Sequence, residues 1–305
     1  MKANLSVRIG KLILKNPVMV ASGTFGYAEE FRDFMDLRKL GAIVSKTITL
    51  NPRKGNPPPR TCETPAGMLN SIGLENPGFK MFLKEKLPVL KKSGVPVIVS
   101  IASEAGCGEF MELARRIDKV KGIAAIELNI SCPNIRANPK LISQNPKSTY
   151  EVVRAVRGLT KKTLITKLSP NVTDITEIAM AAEKAGSDAL ALVNTFTGMS
   201  INVAGRLPKI AMITAGLSGP AIRPIAVRMV HEVYQKSRIP IIGMGGIMDT
   251  VSALEFIIAG ATAVSIGTAN FINPGISAEV VNGLKKYLLK NKIKDIKGLI
   301  GSLKT

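Results

Sequence analysis

Four polar residues stand where apolar runs end: Lys46 after AIVS, Asn129 after IEL, Lys167 after LIT and Asn194 after LALV. Buried amides and ammonium groups are expensive without partners. Any one of them reads as a satisfied strand terminus. All four on one face read as the wall of a site for a polar or anionic ligand. Two glycine-rich segments, GMGG at 243–246 and IGT at 266–268, offer backbone N–H groups without bulky side chains. Each precedes a helical pattern whose N-terminus is expected to favour an anion, so a phosphorylated cofactor is expected there. Lys167 is then placed to offset negative charge on the cofactor's ring. Cys132, in SCPN just past the fourth apolar run, is the candidate catalyst. The single His, His231, sits mid-helix in MVHEVYQK and reads as a packing or surface residue, so a proton acceptor is sought in a thiol. Cys132 lies 70 residues from Cys62 and 25 from Cys107, which forms no compact metal motif. Cys62 and Cys107 read as small buried hydrophobes.

The elements that must position these groups follow from periodicity. Eight strand-like runs occur at Pro17–Ser22, Ala42–Ile48, Pro96–Ile101, Ala124–Ile130, Thr163–Leu168, Ala189–Asn194, Ile239–Met244 and Ala261–Gly267. Several are nearly continuous apolar runs, the pattern of parallel strands buried on both faces. Helical patterns alternate with them over Glu29–Leu37, Pro77–Lys92, Glu109–Lys121, Ser148–Leu159, Thr173–Ala185, Pro220–Lys236, Asp249–Ala259 and Ser277–Lys290. Eight such pairs in one α/β chain of 305 residues predict a single (β/α)8 TIM barrel over residues 1–305. A doubly wound open sheet is the alternative; no linker or low-complexity tract divides the chain. Long connections follow strands two (49–76), four and six (195–219). They open on the barrel face where such enzymes keep their active sites.

Composition narrows the class. Lys and Arg number 42 against 22 Asp and Glu, a formal charge of +20, and hydrophobic residues make up 46%. That apolar content excludes disorder as the main theme, and three Cys exclude a disulfide scaffold. The positive charge first raises nucleic acid as a partner. Much of it is diffuse, however: residues 285–304 hold seven Lys against one Asp, which reads as a solvated helix face and tail. No apolar stretch suits a signal peptide or membrane span, so a cytoplasmic protein is expected, with no membrane and no nucleic-acid partner.

The chain resembles the flavin-dependent dihydroorotate dehydrogenases of pyrimidine biosynthesis over essentially its full length. The segments that carry the likeness are ASGTFGY, SKTITLNPRKGNPPPR, NSIGLENPG, ELNISCPN, KLSPNVTDI, LSGPAIRP, IIGMGGI and SIGTANF. PNVTDI, GLSGPAI and GMGGI look like the catalytic subunit of the NAD-linked type B of the soluble class. The resemblance implies FMN across the barrel mouth. Its contacts would be Ser22, Lys46, Thr47, Ser100, Asn129, Lys167, Val193 and Gly219, with the phosphate on Gly245, Gly246, Gly267 and Thr268. Dihydroorotate would be held by Lys46, Asn70, Ser71, Ile72, Gly73, Leu74, Asn129, Asn134, Asn194 and Thr195. Cys132 would remove the C5 proton, a hydride would pass from C6 to flavin N5, and Lys167 would stabilise the reduced ring. FAD and a 2Fe–2S cluster would sit on a partner subunit that delivers electrons to NAD. Two chains of each kind would form a heterotetramer around a homodimer core.

Two positions depart from that pattern. Ser100 stands where the family usually has Asn, and a hydroxyl offers fewer bonds than an amide. The loop after Cys132 lacks glycines between Arg136 and Lys147, where the family usually has a glycine-rich lid. Other FMN barrel oxidoreductases, of dihydropyrimidine dehydrogenase-like or dihydrouridine synthase-like kind, and a non-catalytic phosphate-binding barrel remain open on the residues alone. Only four Tyr and nine Phe are available for the stacking that an RNA substrate favours.

Overall fold

The computed structural model describes residues 3–104, 106–131 and 142–304. Eight parallel strands close into a barrel: β1 (Val18–Val20), β2 (Ala42–Val44), β3 (Val97–Ile101), β4 (Ala125–Asn129), β5 (Thr163–Lys167), β6 (Ala189–Leu192), β7 (Ile241–Gly243) and β8 (Ala263–Ile266). Neighbours in space are neighbours in sequence, and β8 returns to β1 through Val264↔Val18, Ser265↔Met19 and Ile266↔Val20. Every residue of the eight strands is buried. Helices cover the outer face and side chains fill the inner one, which explains the continuous apolar runs.

Helices follow the strands at Cys107–Asp118, Pro146–Arg157, Ile175–Lys184, Arg223–Lys236, Thr250–Ala259 and Ile276–Lys290. After β2, Gly78–Met81, Phe82–Lys86 and Leu87–Lys91 run end to end with a π turn in the middle. The helix expected over Glu29–Leu37 is absent. That connection forms two 3₁₀ turns, Glu29–Phe31 and Leu37–Lys39. Asp36 caps the second by accepting from Arg38 N, and Phe31, the last residue of the first, stacks on Phe25 at 4.0 Å. A side-chain cap at Asp36, near the end of the stretch, starts a separate turn there and competes with helix propagation.

Two further assemblies position the site. A hairpin of Val7–Ile9 and Leu12–Leu14 closes the N-terminal end of the barrel. Its Ile9 and Leu14 are fully buried, and Lys11 N donates to Thr163 Oγ1 at 3.0 Å, at the start of β5. At the opposite end the long connections after β2 and β6 join into one antiparallel sheet. Its order is Phe196–Gly198, Ala215–Ser218, Gly67–Asn70 and Thr61–Thr64. Among the described residues no helix is long and apolar enough to cross a membrane, and no three His, Cys, Asp or Glu are grouped to hold a metal.

The helix after β7 is capped by its own side chains. Asp249 Oδ1 accepts from Ser252 N at 2.8 Å, and Ser252 Oγ accepts from Asp249 N at 3.0 Å. Bonds from the Ser252 backbone and hydroxyl hold the Asp249 carboxyl below its ordinary range. A depressed carboxyl stabilises the fold above its unfolded pKa and loses that contribution as pH falls through the folded value. Asp249→Ala is expected to lower stability by about 1 kcal/mol at neutral pH. The gap to wild type should narrow in acid, as read from urea midpoints across that range.

Candidate active site

A cavity of about 610 Å³ opens at the C-terminal ends of the strands. Its wall includes Ser22, Lys46, Thr47, Asn129, Lys167, Val193, Asn194, Thr195, Gly219, Gly245, Gly246, Gly267 and Thr268. Asn70, Ile72, Gly73 and Leu74 reach it from the sheet built by the loop after β2. Cys132 and Asn134 lie outside the described residues, as do the loop positions from Arg136 to 141.

The floor is a run of hydrogen bonds between strand ends. Asn129 Nδ2 donates to Thr47 Oγ1 at 3.2 Å, and Thr47 Oγ1 shares a 2.9 Å bond with Ser100 Oγ. Ser131 Oγ donates to Asn129 Oδ1 at 3.2 Å. Asn194 Nδ2 donates in turn to Ser131 Oγ at 2.9 Å and Ser131 O at 3.2 Å. The residue immediately before Cys132 is therefore tied to both β4 and β6. Asn194 Oδ1 accepts from Thr195 N at 2.8 Å.

Two expected contacts lie behind this wall. Ser100 is fully buried and outside the cavity; its hydroxyl reaches only as far as Thr47. Among the described residues it orients the Thr47 hydroxyl. Ser71 is also fully buried and absent from the wall. Its backbone is held by Arg60 O and Asn56 Nδ2, at 2.8 and 3.0 Å. It fixes the loop whose neighbours Asn70 and Ile72 face the cavity.

Electrostatics single out Lys167. The side chain is 6% exposed, and its one hydrogen bond among the described residues is a long donation to Ser22 Oγ at 3.4 Å. No described carboxylate lies within ion-pair distance of it, and half-buried Lys46 adds a second cation to the same wall. An ammonium so placed asks for an anionic partner.

The glycine cradle closes the other side. A Cβ on Gly246 (φ +80°) would meet Gly219 O at 2.7 Å, and one on Gly219 (φ +99°) would meet Gly67 Cα at 2.7 Å. Backbones from three connections pack there with no room for side chains. The anion site expected at the helix after β7 is corrected: Asp249 already occupies that N-terminus, three residues beyond Gly246. After β8 the helix Ala269–Ile272 is a single turn. Loop amides, not helix ends, are what this cradle offers.

Sequence reasoning missed Thr24 and Ser265. Both line the cavity, and Thr24 Oγ1 and Ser265 Oγ are buried without hydrogen-bond partners among the described residues. Their signal was present: SGT directly follows the first strand, and SIGT holds a serine two residues before the glycine already singled out. With the cradle and Lys167, these orphaned hydroxyls fit a ligand that has a phosphate, hydroxyls and a ring able to carry negative charge.

Residues 4–288 match the family model described as dihydroorotate dehydrogenase. Among curated proteins, the chain is 52% identical over 301 residues to the "dihydroorotate dehydrogenase B (NAD(+)), catalytic subunit" of Thermoanaerobacter pseudethanolicus, covering 99% of each. A protein of the same name from Trichlorobacter lovleyi is 51% identical over 303 residues, again 99% of each. Another, from Desulforudis audaxviator, is 53% identical over 302 residues, 99% of this chain and 98% of that one.

Thr47→Val removes the hydroxyl between Asn129 and Ser100 and leaves both polar groups short of a partner. The expected loss is about 1–3 kcal/mol of stability. A Thr47→Val/Ser100→Ala pair should be less than additive, because the two share one bond. Thermal melts of the two single variants and the double variant check this.

Proposed function

Because the chain belongs to the dihydroorotate dehydrogenase family, we propose that its barrel mouth binds FMN and dihydroorotate side by side. The chain is an oxidoreductase that converts dihydroorotate to orotate in pyrimidine biosynthesis. The observation that carries the site assignment is buried Lys167, which has no ion-pair partner among the described residues and is set between amide-bearing strand ends and a glycine cradle.

In this reading Gly245, Gly246, Gly267 and Thr268 hold the FMN phosphate. Ser22, Thr47, Asn129, Lys167, Val193 and Gly219 line the rest, and Thr24 and Ser265 add two hydroxyls to that set. FMN, when bound, supplies the acceptor for the hydride that leaves C6 of dihydroorotate. Lys167 Nζ holds a positive charge beside the ring and so favours a negative charge upon it. Lys46 meets the substrate carboxylate, while Asn70, Ile72, Gly73, Leu74, Asn129, Asn134, Asn194 and Thr195 orient its ring amides. The Cys132 thiol takes the proton from C5. The bonds from Asn194 to Ser131 tie the chain just before that cysteine. A partner subunit with FAD and a 2Fe–2S cluster carries the electrons to NAD, in a cytoplasmic assembly of two chains of each kind.

Cys132→Ser is the direct test. With FMN content and orotate affinity unchanged, the rate of anaerobic flavin reduction by dihydroorotate is expected to fall by about 10²–10⁴-fold. An undiminished rate in rapid-mixing experiments contradicts the assignment. Lys46→Ala is expected to weaken orotate binding in equilibrium titrations; unchanged binding removes Lys46 from the substrate site.

A further inference from the structure

Only two charged side chains are buried among the described residues, Lys167 and Glu127, and they bear opposite signs. They stand on adjacent strands. Asn129 is the register partner of Lys167, and Glu127 precedes Asn129 by two residues on β4, so all three share the inner face of the barrel. On its other side Glu127 is the register partner of Ser100 on β3. Strand spacing and rise place the Glu127 and Lys167 backbones about 8 Å apart. The side chains do not touch: neither has an ion-pair partner among the described residues, and Glu127 Oε1 is buried with no hydrogen-bond partner. The carboxylate lies one layer beneath the cavity and is absent from its wall.

A buried charge persists only where another charge or a set of donors offsets it. Between adjacent strands, through protein and not water, the attraction between opposite charges remains substantial. We infer that Glu127 is a positioning residue for the reaction: its carboxylate is the buried counter-charge of Lys167 on the neighbouring strand. By partly neutralising that ammonium, it sets how strongly the barrel mouth favours negative charge on the cofactor ring. The inference rests on the flavin reading above. Ser100 belongs to the same arrangement. Its hydroxyl is engaged with Thr47, which leaves Glu127 Oε1 without a bond from that strand. Glu127 therefore acts through its charge and not through a hydrogen-bond chain to the cavity.

The test is the midpoint potential of the FMN-loaded chain, measured against reference dyes. Glu127→Gln keeps the shape and removes the charge. The reduction equilibrium is expected to shift about tenfold toward reduced flavin, a rise of about 30 mV for a two-electron couple. Lys167→Met is expected to shift it the other way, and Glu127→Gln on that background should have less than half its effect. An unchanged potential, or an equal shift in both backgrounds, overturns the inference. Infrared difference spectra give a second reading that needs no flavin. With Glu127 intact, Lys167→Met should make the carboxylate take up a proton and show a buried carboxylic-acid C=O stretch; absence of that band overturns the inference too. A wild-type chain that takes up no FMN overturns the proposed function, and this inference with it. Normal uptake with an unmoved potential overturns this inference alone.

Discussion

The burial of Lys167 at the end of β5 is the constraint on which the active-site reading depends. A parallel barrel whose every strand residue is buried makes each polar side chain on it costly, and Lys167 stands at the open end of its strand. There Lys167 finds one weak hydroxyl partner and no described carboxylate within ion-pair distance. Fold stability alone does not call for such a residue, since an apolar side chain would fill the place at less cost. Under the proposed function, it is accounted for by Glu127 one layer beneath it and by a ligand that brings negative charge above it. The neighbouring bonds from Thr47 to Ser131 and Asn194 hold the rest of the wall in register with it.

The two long connections gain their meaning from each other. Asn70 pairs with both Thr61 and Gly216, so the loop that carries the substrate-facing residues is stitched to the loop that carries Gly219. Gly67, Gly219 and Gly246 then pack backbone against backbone. The proposed substrate loop and the proposed phosphate cradle are thus one mechanical unit. A side chain at any of these glycines would pry these backbones apart.

Much of this was legible in the sequence, for identifiable reasons. The eight strands stood out because burial on both faces writes itself as continuous apolar runs. Lys46, Asn129, Lys167 and Asn194 stood out because they interrupt those runs. What was not legible is non-local or competitive. Pairing of Gly67–Asn70 with Ala215–Ser218 joins residues about 150 apart in sequence, which no local pattern records. The hairpin Val7–Ile9 with Leu12–Leu14 was masked by its charged residues Arg8 and Lys11, although Gly10 marks its turn. Asp36 and Asp249 competed for backbone donors that periodicity assigns to a helix and to an anion. Ser100 stood out by its place in the motif, but its bond to Thr47 joins neighbouring strands and left no local mark in the sequence.

The central claim is that this barrel mouth joins a flavin to dihydroorotate, and one measurement addresses it most directly. The purified chain, loaded with FMN and held without oxygen, is titrated with dihydroorotate while the flavin absorbance is followed. The account predicts a yellow protein with one flavin per chain, bleached stoichiometrically as orotate appears. A chain that stays colourless with added FMN, or a yellow one that dihydroorotate leaves unbleached, contradicts it.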